Sequence, residues 1–359
     1  MSGSEAGGRL WFIGPFPPPL NGQSNYNVAM RGHLSSQACL NVCDTGAGNI
    51  EKLWRSLSIF TRLLFGARAK DKAYLSLPGQ KGAWLFLPVA LALRIRGIDH
   101  FVHHHSFRPI NQFPSRSLKI LIRIGGAGQA HILLSPVMAE KLKSLYLERR
   151  PSAGVRTLSN AFLFGPKLGA QKRPNRPITI GHMSVLTREK GAYYLLELFE
   201  VLHERVPDLR MVIAGPTDDE QLRLAIEAMS LKYSDDFEYR GALAGEAKET
   251  FYNDIDVFAL PTTLIDEAEP LVMLEAYGQG VDVVACLTGC ISDRLRMKDA
   301  VLTLDLIRDS EMIVRMAERA DWESIRSDCI AFAHSVHEIA AAEAENLFPE
   351  LLDGICPAT

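Results

Sequence analysis

Short apolar runs alternate with longer amphipathic stretches along the whole chain, and this rhythm excludes most folds at once. It places strands over residues 10–14, 40–44, 73–77, 101–105, 132–135 and 155–158, with helices over 23–34, 51–65, 83–96 and 115–124 between them. Ser135-Pro136 opens a further helix, because proline at a first helical position gives up no hydrogen bond. The rhythm stops at residues 165–177, which hold three prolines (Pro166, Pro174, Pro177), two glycines and four basic residues. Such a stretch reads as a linker. Beyond it come strands over 178–182, 210–214, 237–240, 257–260 and 281–286, helices over 192–203, 220–230, 246–253 and 271–278, then helices to the end. Alternation on both sides of a linker predicts an α/β protein of two Rossmann-like domains, each a parallel sheet covered by helices. The expected boundaries are 1–165, a linker at 166–177, and 178–339, with a final helix over about 340–359 packing back on the first domain. Ligands of such sheets bind beyond the carboxyl ends of the strands. Two domains in tandem are therefore expected to face a central cleft.

The 359 residues leave room for two ordinary domains. A net charge of -3 conceals an asymmetry: residues 1–165 hold 20 Lys and Arg against 7 Asp and Glu, and the remainder 19 against 35. A basic half suits an anionic partner: a membrane surface, a phosphorylated lipid or a nucleic acid. No aromatic-plus-basic recognition motif accompanies the charge, so a nucleic-acid partner is not expected. The region from Lys52 to Arg68, with Arg55 and Arg62, suits either anionic lipid or plain solvation. The six cysteines form no Cys-x-x-Cys pair and no histidine stands at zinc-finger spacing, so reduced thiols and no metal are expected. The first ten residues lack a signal-peptide apolar stretch, and the most apolar run, residues 84–93, is too short to span a bilayer. The expectation is a cytoplasmic protein, soluble or peripheral on the inner face of the plasma membrane.

The densest chemistry lies in residues 261–276, Pro-Thr-Thr-Leu-Ile-Asp-Glu-Ala-Glu-Pro-Leu-Val-Met-Leu-Glu-Ala, directly after a strand. Pro270 suits the first turn of a helix. Glu267 then lies in the loop before that helix and Glu275 inside it. The N–H groups of Leu271 and Val272 point at the loop, and a helix start of this kind binds phosphate. A carboxylate in the loop can accept sugar hydroxyls; one on the helix can accept a ribose diol. Read without context, the same residues are an acidic loop capping an ordinary helix.

Two glutamates with seven residues between them, after a strand ending in Pro-Thr, resemble the signature of retaining glycosyltransferase family 4, whose members have GT-B architecture. The resemblance covers nearly the whole chain. It takes in Gly14-Pro15-Phe16-Pro17-Pro18-Pro19 with Asn21-Gly22-Gln23-Ser24, Ile180-Gly181-His182-Met183-Ser184, and Arg188-Glu189-Lys190-Gly191. It also takes in Val212-Ile213-Ala214-Gly215-Pro216, and Tyr239-Arg240-Gly241 before Phe251-Tyr252-Asn253-Asp254-Ile255-Asp256. By this resemblance Lys190 reaches the donor diphosphate. The family's arginine after the preceding glycine is here His182, so Arg188, or His182 when protonated, takes over that charge. Gly22, at the first helix start, lets backbone approach a phosphate. Gly215 and Gly241 join the donor-binding set, with the base met by backbone around residues 239–241. His105 resembles the family's residue near the transferred sugar, with His103 on the same face; a packing role is the alternative. His103, His104 and His105 alternate faces along a strand and cannot easily share one metal. Gly289 with Asp293 resembles a donor loop that usually holds a Gly-Gly pair, Cys290 replacing the second glycine.

The implied reaction moves a sugar from a nucleotide-sugar, such as a UDP- or GDP-sugar, to a glycan or lipid-linked acceptor, as in a growing surface polysaccharide. It proceeds with retention, without cofactor or metal. Glu267 orients the sugar, while Lys190, Arg188 and the helix start at Leu271 stabilise the leaving diphosphate. Asp254-Ile255-Asp256 matches an Asp-x-Asp triplet but leads into a strand. A nucleotide-sugar epimerase, a phosphorylase, or a non-catalytic binding protein stays open. A dehydrogenase is disfavoured, because the first strand leads into Gly-Pro-Phe-Pro-Pro-Pro and not Gly-x-Gly-x-x-Gly.

Overall fold

The computed structural model describes residues 7–19, 21–79, 82–111, 114–148, 154–166, 178–206, 208–319 and 321–358. Of the expected linker, residues 167–177 lie outside the described residues. The chain divides into two compact units: Met1–Leu163 with Ile339–Thr359, and Phe164–Glu338.

The first unit runs β1 (Leu10–Gly14), α1 (Gly22–Ser35), β2 (Leu40–Asp44), α2 (Asn49–Gly66), β3 (Lys72–Leu77), α3 (Gly82–Arg96) and β4 (His100–His104). It continues with α4 (Arg108–Asn111), α5 (Arg116–Gly125), β5 (Gln129–Leu133), α6 (Pro136–Leu142) and β6 (Gly154–Thr157). The six strands form one parallel sheet in the order β2-β1-β3-β4-β5-β6. Helices cover both faces, so every residue of β1 and β4 is buried. The C-terminal segment is sewn into this unit. Glu343 accepts from the Ser159 N–H at 3.0 Å, Arg156 meets Glu350 at 2.9 Å, and the N–H of Cys39 donates to Cys356 O at 3.0 Å.

The second unit runs β7 (Thr179–Met183), α7 (Ala192–Arg205), β8 (Arg210–Ala214), α8 (Glu220–Lys232), β9 (Phe237–Tyr239), α9 (Glu246–Asp254) and β10 (Val257–Leu260). Then follow α10 (Leu271–Gly278), β11 (Asp282–Ala285), α11 (Ile291–Arg294), α12 (Leu306–Ala317) and α13 (Trp322–Leu352). Its five strands are parallel in the order β11-β10-β7-β8-β9. Phe199, Phe251, Phe258 and Tyr277 fill its core. The short helices α4 and α11 escape the periodicity argument because four residues are about one helical turn.

Both sheets reverse their strand order once, between β1 and β3 in the first and between β10 and β7 in the second. A reversal leaves a crevice at the carboxyl edge, because the two flanking connections leave in opposite directions. Arg188 and Lys190 sit on the loop leaving β7 and Glu267 on the loop leaving β10.

Candidate functional site

In the second unit two loops meet at the reversal. One leaves β7 and carries Arg188 and Lys190; the other leaves β10 and carries Glu267. They pack backbone to backbone. Gly191 has φ 79°, and a Cβ there would lie 2.5 Å from the Pro261 carbonyl oxygen, so only glycine fits. The Thr263 N–H donates to Glu189 O at 2.8 Å. This contact puts the Lys190 ammonium on the Glu267 carboxylate as an ion pair, with the Thr262 hydroxyl 3.4 Å from the same carboxylate. A third loop, leaving β11, backs Glu267. A Cβ on Gly289 would fall 2.2 Å from the Glu267 carbonyl oxygen, the Cys290 N–H donates to Ala268 O at 2.8 Å, and the Thr288 hydroxyl donates to Thr262 O at 3.0 Å. The Gly289–Cys290 pair thus acts by close backbone packing.

Glu275 stands on α10, one turn beyond Leu271. Its carboxylate accepts from Lys248 at 2.6 Å and from the Tyr252 hydroxyl at 2.9 Å. Burial, then the Glu275 charge, hold the Tyr252 phenol well above its ordinary pKa, so it stays a donor. Pro270 stands at the N-cap position with no side-chain cap, one place earlier than the first-turn position expected for it. By contrast Asp219 and Asp305 cap α8 and α12 through their carboxylates. The positive end of α10 therefore faces the Glu267 loop without a capping side chain. Beneath the loop Arg294 pairs with Glu269 at 2.5 Å, both nearly fully buried. That pair fixes the base of the loop.

His182 does not supply a cation. It is fully buried, its Nδ1 donates to Ala259 O at 2.8 Å, and its Nε2 lies 2.7 Å from the Ser184 hydroxyl. Burial lowers its pKa to about 4, so the ring is neutral and ties β7 to β10. The expectation of a protonated His182 is corrected accordingly. Arg188 is exposed and stacks on Tyr193 at 4.2 Å, whose hydroxyl donates to Asp219 at 2.9 Å. Gly215 has φ 124°, and a Cβ there would lie 1.6 Å from Ser184 O. Its N–H donates to Gly241 O at 2.6 Å. Gly241, with φ 60°, has open space where a Cβ would stand. Gly215 is thus required by packing between two loops, and Gly241 by its left-handed backbone.

Gly22 and His105 belong to the first unit. Gly22 is the first residue of α1, behind Asn21 and its capping box with Ser24, and open space surrounds the position of a Cβ. His105 follows the last residue of β4. Its ring lies 4.2 Å from that of His103 and 4.7 Å from that of Tyr26 of α1. The Tyr74 hydroxyl is 2.5 Å from His103 Nδ1. His104, on the other face, lies 3.0 Å from His131. Desolvation lowers His104 and His105 to about 3, and all these rings are neutral. Among the described residues no group of three or more His, Cys, Asp or Glu side chains is placed to hold a metal ion.

Lys190, Glu267 and the start of α10 therefore share one loop cluster with Glu275 on the helix behind it, while Arg188 occupies a neighbouring exposed stack. Lys248 and Arg294 lie outside the sequence motifs, and Tyr252, Glu269 and Thr262 lie within them without an assigned role. Lys248 and Tyr252 are four residues apart, on one face of α9, a spacing that was visible; their partner was not.

Residues 167–303, which lie within the second unit, match the family model Glycosyl transferases group 1. An uncharacterized glycosyltransferase of Haemophilus influenzae is 26% identical over 248 residues, 64% of this chain and 66% of the relative, so the match spans just under two thirds of that protein. Among solved structures, Anabaena HepE in complex with UDP and glucose superposes with a TM-score of 0.69 at 16% identity, covering 95% of this chain and 99% of HepE. An apo structure of OtsA gives 0.69 at 12%, covering 96% and 99%. The pneumococcal O-GlcNAc transferase GtfA, in complex with UDP and GlcNAc, gives 0.64 at 14%, covering 83% and 60%. The fold is that of the GT-B glycosyltransferases: two parallel-sheet Rossmann-like domains.

Proposed function

We propose that the chain is a glycosyltransferase that takes a sugar from a nucleotide-sugar and passes it to a glycan or lipid-linked acceptor with retention of configuration, in the manner of family 4. The observation that supports this best is the Lys190–Glu267 pair at the strand-order reversal, beside the side-chain-free N-terminus of α10. An ammonium and a helix start within one loop cluster suit a diphosphate. When the diphosphate takes Lys190, the Glu267 carboxylate is released to accept sugar hydroxyls and orient the ring. Glu275, held by Lys248 and Tyr252, accepts the ribose diol.

As the anomeric C–O bond breaks, its electron pair passes to the leaving phosphate oxygen. Lys190 and the α10 N–H groups of Leu271 and Val272 stabilise that growing charge, and Arg188 adds a nearby positive charge. The acceptor oxygen bonds the anomeric carbon from the same face, and its proton goes to the leaving phosphate. The donor is a UDP- or GDP-sugar. The family match and the UDP complexes of HepE and GtfA support this reading.

Thermal melting with UDP-, GDP- and ADP-sugars tests it on wild type, Lys190→Ala and Glu275→Ala. At least one nucleotide-sugar should raise the melting temperature of the wild type and much less that of either variant. An equal rise in all three proteins removes these residues from the donor site.

A further inference from the structure

Helix α2 is apolar on two sides. Its buried stripe, Ser56, Ile59 and Leu63, packs inward. Its other side carries Ile50, Trp54, Leu57 and Phe65, which recur at helical spacing and are 76%, 70%, 44% and 83% exposed. A helix that faces a core on one side and water on the other has no use for the second stripe. Helix α3 repeats the feature, with Trp84, Leu91 and Ile95 exposed along one line. These helices are neighbours: α3 packs between α2 and α5, the Ser56 hydroxyl donating to Leu85 O at 2.5 Å. The third helix in the row, α5, exposes Arg116, Lys119, Ile120 and Arg123. Because all three turn their buried stripes inward, the exposed stripes look outward together.

Charge on this face has one sign. Residues 49–125 contain 13 Lys and Arg against 3 Asp and Glu, and neither α3 nor α5 contains an acidic residue. The one acid of α2, Glu51, is neutralised by Arg55 at 2.7 Å. Arg55 also binds Asp44 at 2.7 Å, and Arg62 lies over the Trp11 ring at 5.9 Å. The freely presented charge therefore lies more on α5 than on the α2 arginines that the sequence pointed to.

We propose that the α2–α3–α5 face docks on an anionic lipid surface, with Trp54, Phe65, Trp84 and Ile95 entering the headgroup boundary and the α5 cations meeting lipid phosphates. Large apolar side chains bordered by Lys and Arg are what an interfacial membrane surface requires. A second copy of the chain is disfavoured as occupant, since a twofold contact sets like charge against like charge. Among the described residues no helix is long and apolar enough to cross a membrane. The inference rests on the proposed lipid-linked acceptor, to which it gives a location.

The test is flotation of the full chain with vesicles of phosphatidylcholine alone or of an equimolar mixture with phosphatidylglycerol. Wild type should bind the anionic vesicles and leave the neutral ones largely unbound. Trp54→Ser with Phe65→Ser should weaken binding at least about tenfold, given the apolar area withdrawn. Arg116→Gln with Lys119→Gln and Arg123→Gln should weaken it by about fivefold per residue. These positions are exposed, so the melting temperature and its rise with nucleotide-sugar should stay as in wild type. That second readout separates this proposal from the donor-site reading. Equal vesicle binding by wild type and variants overturns the proposal, and so does no binding by wild type. Self-association without lipid that the Trp54 and Phe65 substitutions abolish also overturns it, making the face a contact between copies.

Discussion

The carboxyl edges of the two sheets share a topology and differ in electrostatics. At the carboxyl end of β4 in the first unit stand neutral rings: His103 and His105 against Tyr26 and Tyr74, and His104 against His131 of β5. Beyond β7 and β10 of the second unit stand opposed charges: Lys190 with Glu267, Lys248 with Glu275, Arg294 with Glu269. The same parallel-sheet edge thus serves two chemistries. A neutral edge resists charge and is sensitive to protons. A paired edge already holds charge and answers to an anion that competes for its cations.

The largest expected effect is acid sensitivity concentrated in the first unit. Burial lowers the pKa of His100, His103, His104, His105 and His131 in the first unit, and that of His182 in the second. A depressed folded value means that the unfolded chain takes up protons first. The stability contributed is complete above about 6.5, the ordinary histidine value. It drains away as the pH falls toward about 3 for His104. One pKa unit corresponds to about 1.4 kcal/mol, so two pH units below that value cost about 3 kcal/mol for a single such ring. Several rings in the first unit against one in the second should make β3, β4 and β5 lose hydrogen-exchange protection on acidification before β7 and β8 do. Simultaneous loss in both sheets would break the comparison.

Next in size is the buried pair under the Glu267 loop. Arg294→Met takes the guanidinium from the buried Glu269 carboxylate, and should cost about 3–5 kcal/mol in denaturant unfolding, with much of that recovered when Glu269→Met is added. A single variant as stable as wild type would mean that the pair does not anchor the loop. The smallest effect sharpens the contrast inside the paired edge. Tyr252→Phe removes one donor from Glu275 but leaves Lys248, and should cost about 1–2 kcal/mol. The same substitution should weaken nucleotide-sugar binding less than Glu275→Ala does; a larger loss would make the phenol, not the carboxylate, the contact.

The strands were legible because a strand between helix layers must be apolar throughout, and runs such as Leu-Trp-Phe-Ile and Val-Phe-Ala-Leu carry that signature locally. The Glu267 loop stood out through its resemblance to the two-glutamate signature of glycosyltransferase family 4; on spacing alone the same residues read as an acidic loop capping an ordinary helix. His182 was misread as a possible cation, because the sequence shows a histidine after a glycine but not the burial that neutralises it. Arg294 gave no signal at all, since its partner Glu269 lies 25 positions away and nothing in a short helix distinguishes a buried arginine from a solvated one.

The sequence by itself determined the two parallel sheets, because apolar period is a local property that each segment carries into the fold. Tertiary structure alone decided which charges meet. Lys190 and Glu267 are 77 positions apart and touch only because β7 and β10 become neighbours where the strand order turns back. Strand order is a choice among packings of the whole sheet, written in no single stretch of the chain, and the electrostatics of each edge follows from it.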